Sequence, residues 1–249
     1  EKCADSIAYG EAFDKNWKLI KNETLSENGL LAEKTMNTVI HLIEAYTELF
    51  RETGDKRVSE RLTYLLELSR DKIFDAENNQ LLVFFNKNME VIGDIHSYGH
   101  DIEASWLFDR ALEVLDDEKL RADFSVINRK IADKIACVAF DGQALNNERD
   151  NSLINTWRIW WVQAEAVVGF VNAWQHFGDE KYLDIAEKIW DYIKRNIIDS
   201  RENGEWYSKV DYRGRSFPIE SIVDPWKCPY HNGRMCIEIM NRLKNQGES

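Results

Sequence analysis

The sequence predicts an all-α chain built as a stack of helical hairpins, and three observations predict it. Apolar residues recur at the 3.6-residue helical period over seven stretches. Three times an apolar helix runs into a short acidic turn and a second helix follows. The turns are Gly54-Asp55-Lys56, Asp117-Glu118-Lys119 and Gly178-Asp179-Glu180-Lys181, with lysines 63 and 62 positions apart. A fixed period of that size is the signature of repeated helical hairpins. The unusual polar residues fall at matching places in the period: Asn37 and His41, then His100 and Glu103, then Gln163 and Glu165. Tyr230, His231, Asn232 and Arg234 open a fourth first-helix. Equivalent helix ends that all carry histidines or carboxylates point to one shared pocket.

The first helix is expected over residues 34–51, with Met36, Val39, Ile40, Ile43, Tyr46 and Phe50 on one side. The second runs from 56 to 74, the third from 100 to 115, and the fourth from 118 to 139. The fifth spans 156–177, the sixth 180–197, and the last starts at Tyr230 and ends near Leu243. Between hairpins, residues 81–85 and 205–210 have strand-like content, which predicts short strands or extended loops on one face. Binding residues concentrate in loops held by a rigid scaffold. No linker or composition break divides residues 1–249, so a single domain is expected. Closed toroids of this kind commonly carry six hairpins, about 370 residues at this period, and three and a half are present. The opening, with Tyr9-Gly10-Glu11-Ala12-Phe13, reads as the middle of a chain, so an N-terminal part of the native protein is expected to precede it.

The 249 residues are 44% hydrophobic, enough for a sizeable core, and include nine Trp and nine Tyr. Such rings line sugar-binding clefts, although packing is the commoner reason to find them. A net charge of -12 provides no basic stripe for counterion release, which argues against nucleic acid as a partner. No apolar run is long enough to cross a bilayer, so no membrane partner is expected. Cys3, Cys137, Cys228 and Cys236 form no C-x-x-C pair and no zinc spacing. They read as reduced thiols of a cytoplasmic protein, and a monomer is expected.

His96 and His100 have the spacing H-x-x-x-H, which makes a zinc pair only on one helical turn. Gly99 between them argues otherwise, so no metal is expected. His100 at a first turn places Glu103 three positions on, where a carboxylate can hydrogen-bond and orient the imidazole. Against this, Asp101 and Glu103 can be ordinary first-turn acids favoured by the helix dipole. His41 can be a core histidine, or with Asn37 one turn earlier it can form a polar spot on an inner helix. His231 lies in a dense run of Trp226, Lys227, Tyr230 and Arg234, which favours function; for Arg234 a simple ion pair is the alternative. His176 sits where the dipole favours it, and no more is expected of it. Trp157, Trp160 and Trp161 lead into Gln163 and Glu165. Flat rings beside hydrogen-bonding groups suit a pyranose, and at least one of the three is expected to pack instead.

The strings that carry a resemblance are Ser26-Glu27-Asn28-Gly29, Lys34-Thr35-Met36-Asn37-Thr38 through His41, and His96-Ser97-Tyr98-Gly99-His100-Asp101-Ile102-Glu103. Asn146-Asn147-Glu148-Arg149, Trp160-Trp161-Val162-Gln163-Ala164-Glu165 and Trp226 through Arg234 continue them. In this order they resemble the N-acylglucosamine 2-epimerase superfamily, and within it the cellobiose 2-epimerases, over nearly the whole chain as the family's C-terminal two-thirds. The resemblance implies an (α/α)6 barrel. It implies epimerisation at C2 of the reducing-end glucose of a β-1,4-linked disaccharide or oligosaccharide, without metal or redox cofactor. Carried over by position, His100 and His231 look like the two general acid/base groups, and His41 like a third pocket histidine polarising the oxygens at C1 and C2. Glu103 looks like the partner that orients His100. Trp161 and Trp226 look like sugar contacts, with Asn37, Glu165 and Arg234 as further substrate-binding candidates. The family's substrate-holding arginine comes from its N-terminal part, and no residue here takes that role.

The chemistry suits these residue types. The C2 proton is acidic only beside an open-chain aldehyde; a base removes it, donors stabilise the cis-enediolate, and an acid returns a proton to the other face. Histidine suits both jobs near pH 7. An aldose–ketose isomerase or an N-acylglucosamine 2-epimerase would share the histidines. An inverting glycosidase would need two carboxylates spaced for a water, drawn from Asp101, Glu103, Glu148 and Glu165. That reading leaves three histidines unexplained. A non-catalytic sugar-binding module remains as a separate class.

Overall fold

The computed structural model describes residues 7–20, 30–216, 221–224 and 226–246. The string Ser26-Glu27-Asn28-Gly29, and Cys3 and Pro225, lie outside the described residues. Among those described, seven α-helices dominate: α1 (Met36–Thr53), α2 (Lys56–Leu68), α3 (Tyr98–Val114), α4 (Glu118–Val138), α5 (Trp160–Phe177), α6 (Glu180–Tyr192) and α7 (Tyr230–Gln246).

The repeat is stricter than the lysines suggest. α1, α3 and α5 begin at Met36, Tyr98 and Trp160, each 62 positions after the last, and α2, α4 and α6 begin at Lys56, Glu118 and Glu180 with the same interval. His41, Glu103 and Glu165 therefore share one position in the repeat. From the start of a second helix to the next first helix takes 42 residues twice, from α2 to α3 and from α4 to α5, but 50 from α6 to α7.

Local chemistry sets these boundaries. Asp55, Asp117 and Asp179 stand just ahead of the second helices, and each carboxylate accepts a first-turn backbone N–H, from Arg57, Leu120 and Lys181. Such a cap stabilises by about 1 kcal/mol. Gly54 and Gly178 close α1 and α5 in the left-handed conformation, at φ 62° and 65°, and bond back to Phe50 O and Trp174 O. The middle hairpin has no such glycine. There the Arg121 guanidinium takes the orphan carbonyls of Leu112 and Leu115 at 3.1 and 3.0 Å.

Several expected boundaries move. Residues 156–159 are not helical, because Arg158–Ile159 pairs as a strand with Lys209–Val210 and Trp160 N bonds Ser208 O. Lys34–Thr35 likewise pairs with Phe84–Phe85, and Thr35 caps α1 through its hydroxyl. α3 begins two residues earlier than expected, at Tyr98, and α7 runs on to Gln246. The last turns of the second and sixth helices widen into π-helical turns, Ser69–Ile73 and Ile193–Ile197, again at equivalent places.

The chain divides into two compact units. The first comprises Glu1–His96 and Leu107–Ile127. In it α1 packs on α2, burying Met36, Val39, Ile40, Ile43, Leu62, Leu65 and Leu66. Short antiparallel pairs connect its helices: β1 (Lys34–Thr35) with β4 (Phe84–Phe85), and β2 (Phe74–Asp75) with β3 (Gln80–Leu81). Glu11 accepts from Thr35 N, Thr35 Oγ1 and Thr38 Oγ1 and so pins the start of α1. Burial raises the Glu11 carboxyl above its ordinary value despite these bonds.

The second unit comprises Ser97–Trp106 and Asn128–Ser249. α5 is its central element. It packs on both α6 and α7, and Val162 to Ala173 lie buried along it. Its strands are the hairpin β6 (Glu148–Asp150) and β7 (Leu153–Asn155), then β8 (Arg158–Ile159) and β9 (Lys209–Val210); β5 (Ile95–Ser97) precedes them in chain order, with only Ser97 in this unit. Both segments expected to be strand-like do contain short strands, β3, β4 and β9. Among the described residues no helix is long and apolar enough to cross a membrane.

Candidate active site

The second unit gathers the first turns of α3, α5 and α7. Their opening residues bring five chemically distinctive groups: His100 on α3, Trp161 and Glu165 on α5, His231 and Arg234 on α7. The Trp161 indole is the common neighbour. Its ring centroid lies 4.6 Å from that of His100 and 5.5 Å from that of His231. Both imidazoles are partly exposed, so the pair is reachable by solvent. Gly99 makes this approach possible, since a Cβ there would sit 2.6 Å from Trp161 Cζ3 and 2.7 Å from Cη2.

Beneath the rings lies a buried ionic cluster. Glu165 Oε1 faces His231 Nδ1 at 2.8 Å and accepts from Arg234 Nη2 at 2.8 Å; its Oε2 accepts from Trp106 Nε1 at 3.1 Å. Arg234 also donates to Glu103 Oε1. Glu103 and Glu165 are fully buried. Burial alone would raise the Glu165 carboxyl; the His231 bond and the Arg234 charge outweigh it and hold it below the usual carboxylate range. A carboxylate accepts but cannot donate, so Nδ1 of His231 carries a proton, and in the neutral ring the lone pair lies on Nε2. Arg234 lies over Tyr230 at 4.5 Å and over Trp106 at 5.0 Å, which fixes its fork. Glu103, Glu165 and His231 would suit a cation by type, with one ligand atom each within 4.8 Å of the others. The Arg234 guanidinium bridges the two carboxylates and offsets one of their two charges.

The remaining expected residues fall as follows. His96 is on a strand and His100 on a helix, so they share no helical turn. The Nδ1 of His100 meets the Ser97 hydroxyl at 2.7 Å, a partner sequence reasoning missed. Glu103 accepts from Arg234, and Glu165 is the carboxylate on His231. Gln163 is a brace: it accepts from Leu145 N and donates to Leu145 O, both at 2.9 Å, clamping the turn after α4. Trp160 packs at 7% exposure, whereas Trp226 stands 76% exposed on its loop. His176 bonds Asn172 O within its own helix. Asn37 and His41 belong to the first unit. There Asn37 is exposed, and half-buried His41 pairs with Glu44 at 3.3 Å. The described cysteines, Cys137, Cys228 and Cys236, are free and exposed.

A family profile described as N-acylglucosamine 2-epimerase (GlcNAc 2-epimerase) matches residues 7–233. A cellobiose 2-epimerase from Ruminococcus albus is 54% identical over 238 residues, 96% of this chain and 61% of that protein. The crystal structure of a sugar epimerase from a ruminal bacterium superposes with a TM-score of 0.94 at 53% identity, over 97% of this chain and 62% of the other. That of the cellobiose 2-epimerase of Bacillus thermoamylovorans B4167 gives 0.88 at 45%, over 94% and 60%. The likeness places the helical hairpins in the (α/α)6 fold class that the repeat and the motifs predict. The chain spans about three-fifths of the length of these relatives.

Proposed function

The chain belongs to the N-acylglucosamine 2-epimerase family, and on that premise we propose that its protein epimerises C2 of the reducing-end glucose of cellobiose or a related β-1,4-linked oligosaccharide, giving the mannose form. The observation that carries the reading is the pair of imidazoles, His100 and His231, sharing the Trp161 indole, with buried Glu165 fixing the tautomer of one of them. The sugar opens to its aldehyde, which acidifies the C2–H. One imidazole takes that proton through a ring nitrogen lone pair, and the electron pair moves into a cis-enediolate. The other, as imidazolium, delivers a proton to the opposite face of C2. Configuration inverts, and each turnover exchanges one proton with solvent. Trp161 supplies a flat apolar wall for the sugar ring, and the exposed Trp226 a second aromatic surface for the distal sugar. Arg234 and Glu103 serve through the cluster that holds Glu165. Asn37 and His41 are carried into the proposal by their match to the family motif alone.

The test is NMR of cellobiose incubated with the full-length protein in D2O. Glucosyl-mannose carrying deuterium at C2 is the expected product. A dominant ketose would move the protein to aldose–ketose isomerisation, and free glucose to glycoside hydrolysis. No change in cellobiose, mannose or N-acetylglucosamine would overturn a catalytic reading.

A further inference from the structure

Outside the ionic cluster, one carboxylate ties together three segments that carry the site. Glu205 Oε2 accepts the Lys227 ammonium and the Trp206 N–H, the latter at 2.6 Å. Its Oε1 accepts from Asn232 Nδ2. Lys227 is 1% exposed, donates also to Ile222 O at 2.7 Å, and lies 5.7 Å over the Trp160 ring. Asn232 is 8% exposed and its Oδ1 is buried with no donor among the described residues, so the Glu205 bond orients its amide. Each tether ends beside a residue of the site. Asn232 follows His231 on the first turn of α7. Lys227 follows Trp226. Trp206 precedes β9, which pairs with β8 at the entry to α5 and so sets Trp160 and Trp161. The Trp160 and His231 rings are themselves 6.5 Å apart, edge to face.

We propose that Glu205 is a positioning residue for the epimerase site, holding the His231 turn, the Trp226 loop and the entry to α5 in register through Asn232, Lys227 and Trp206. The proposal rests on the function assigned above, but its geometric core does not need turnover to be read. Lys227 is buried, so removing its counterion alone strands a charge and lowers stability whatever else Glu205 does. The double variant Glu205→Gln/Lys227→Met removes both charges and separates the two roles.

The experiment compares the full-length wild type with Glu205→Gln, Lys227→Met and the double variant. It reads the thermal midpoint, kcat and KM on cellobiose, and the imidazole 15N signals of His231. Glu205→Gln is expected to lose midpoint and to lower kcat at least tenfold. The double variant is expected to regain most of the midpoint while kcat stays at least tenfold down. In it the His231 15N signals are expected to shift or split, because the turn is no longer held. Recovery of kcat along with the midpoint, or His231 signals identical to wild type in the double variant, would overturn the positioning role and leave a plain ion pair. Wild-type protein inert on cellobiose would overturn the function, and the 15N comparison would still decide the positioning.

Discussion

Replacing Glu165 by Gln changes one oxygen to an amide nitrogen and should remove most of the activity. The carboxylate has three partners, His231 Nδ1 at 2.8 Å, Arg234 Nη2 at 2.8 Å and Trp106 Nε1 at 3.1 Å, and all three require an acceptor. Glutamine offers one accepting atom. Whichever way the amide turns, its NH2 faces a donor. Hydrogen bonds to a charged group contribute about 1.5–3 kcal/mol each, and breaking a buried ion pair costs about 3–5 kcal/mol. Arg234 keeps Glu103, so the expected loss lies at the low end, about 3 kcal/mol. The kinetic effect is larger. An NH2 facing His231 Nδ1 moves the ring proton to Nε2 and removes the lone pair that acts on C2. A wrong-tautomer change of this kind costs about 10⁴-fold in a serine protease triad, so a fall in kcat of about 10³- to 10⁴-fold is expected here. The assay is steady-state epimerisation beside urea denaturation. Because Glu165 is held below its ordinary value of 4.5, its contribution to stability is full above that pH. It is lost as pH falls through the depressed folded value, so the gap between wild type and variant should narrow under acid. A Glu165→Gln protein with kcat within threefold of wild type, or a gap that widens under acid, would refute this account of the cluster.

Two further outcomes follow from the geometry. Gly99→Ala puts a methyl group 2.6–2.8 Å from Trp161 and Val162 atoms; overpacking of this kind costs about 1–3 kcal/mol. The indole should be displaced, lowering kcat and shifting tryptophan fluorescence, and unchanged values of both would show that the indole position is not set by Gly99. Asp199 is held at about 2 by hydrogen bonds from Arg201. The midpoint difference between wild type and Asp199→Asn should be full above pH 4 and should close as pH falls towards 2; a difference independent of pH over that range would contradict the pairing.

The helices were legible because the hydrophobic face and the caps act within a turn or two of the chain. Asp55, Asp117 and Asp179 announce helix starts locally, and the interval between them then constrains every later start. What failed was equally physical. Residues 156–159 have helix-like apolar content, but a strand about 50 residues away claims their backbone, and no local pattern records that. The π-helical turns leave no composition signal, although their recurrence at equivalent places could have been sought once the period was known. Within the candidate site, the long-range pairing was not legible. The i,i+3 spacing of His100 and Glu103 is local, but the bonds of His231 to Glu165 and of Arg234 to Glu103 join residues 66 and 131 positions apart, and no local spacing records them. Gln163 looked functional by type and phase, and proved to be a backbone brace. Lys227 sat inside a family-like motif, but its burial, and hence its need for Glu205, is a property of the folded chain.

The unequal spacing of the helices has a consequence for how such chains diverge. Two inter-hairpin connections keep one length, 42 residues from the start of a second helix to the start of the next first helix. The connection from α6 to α7 is eight residues longer and is already out of step with the others. Glu205 ties its start to its end, which lets the part between β9 and Ile222 change without disturbing the turn that bears His231. Gains and losses of sequence among relatives should therefore gather after β9 and before Ile222, between Tyr212 and Ser221, and that stretch is the natural place to graft new loops when the preference for one sugar over another is to be altered.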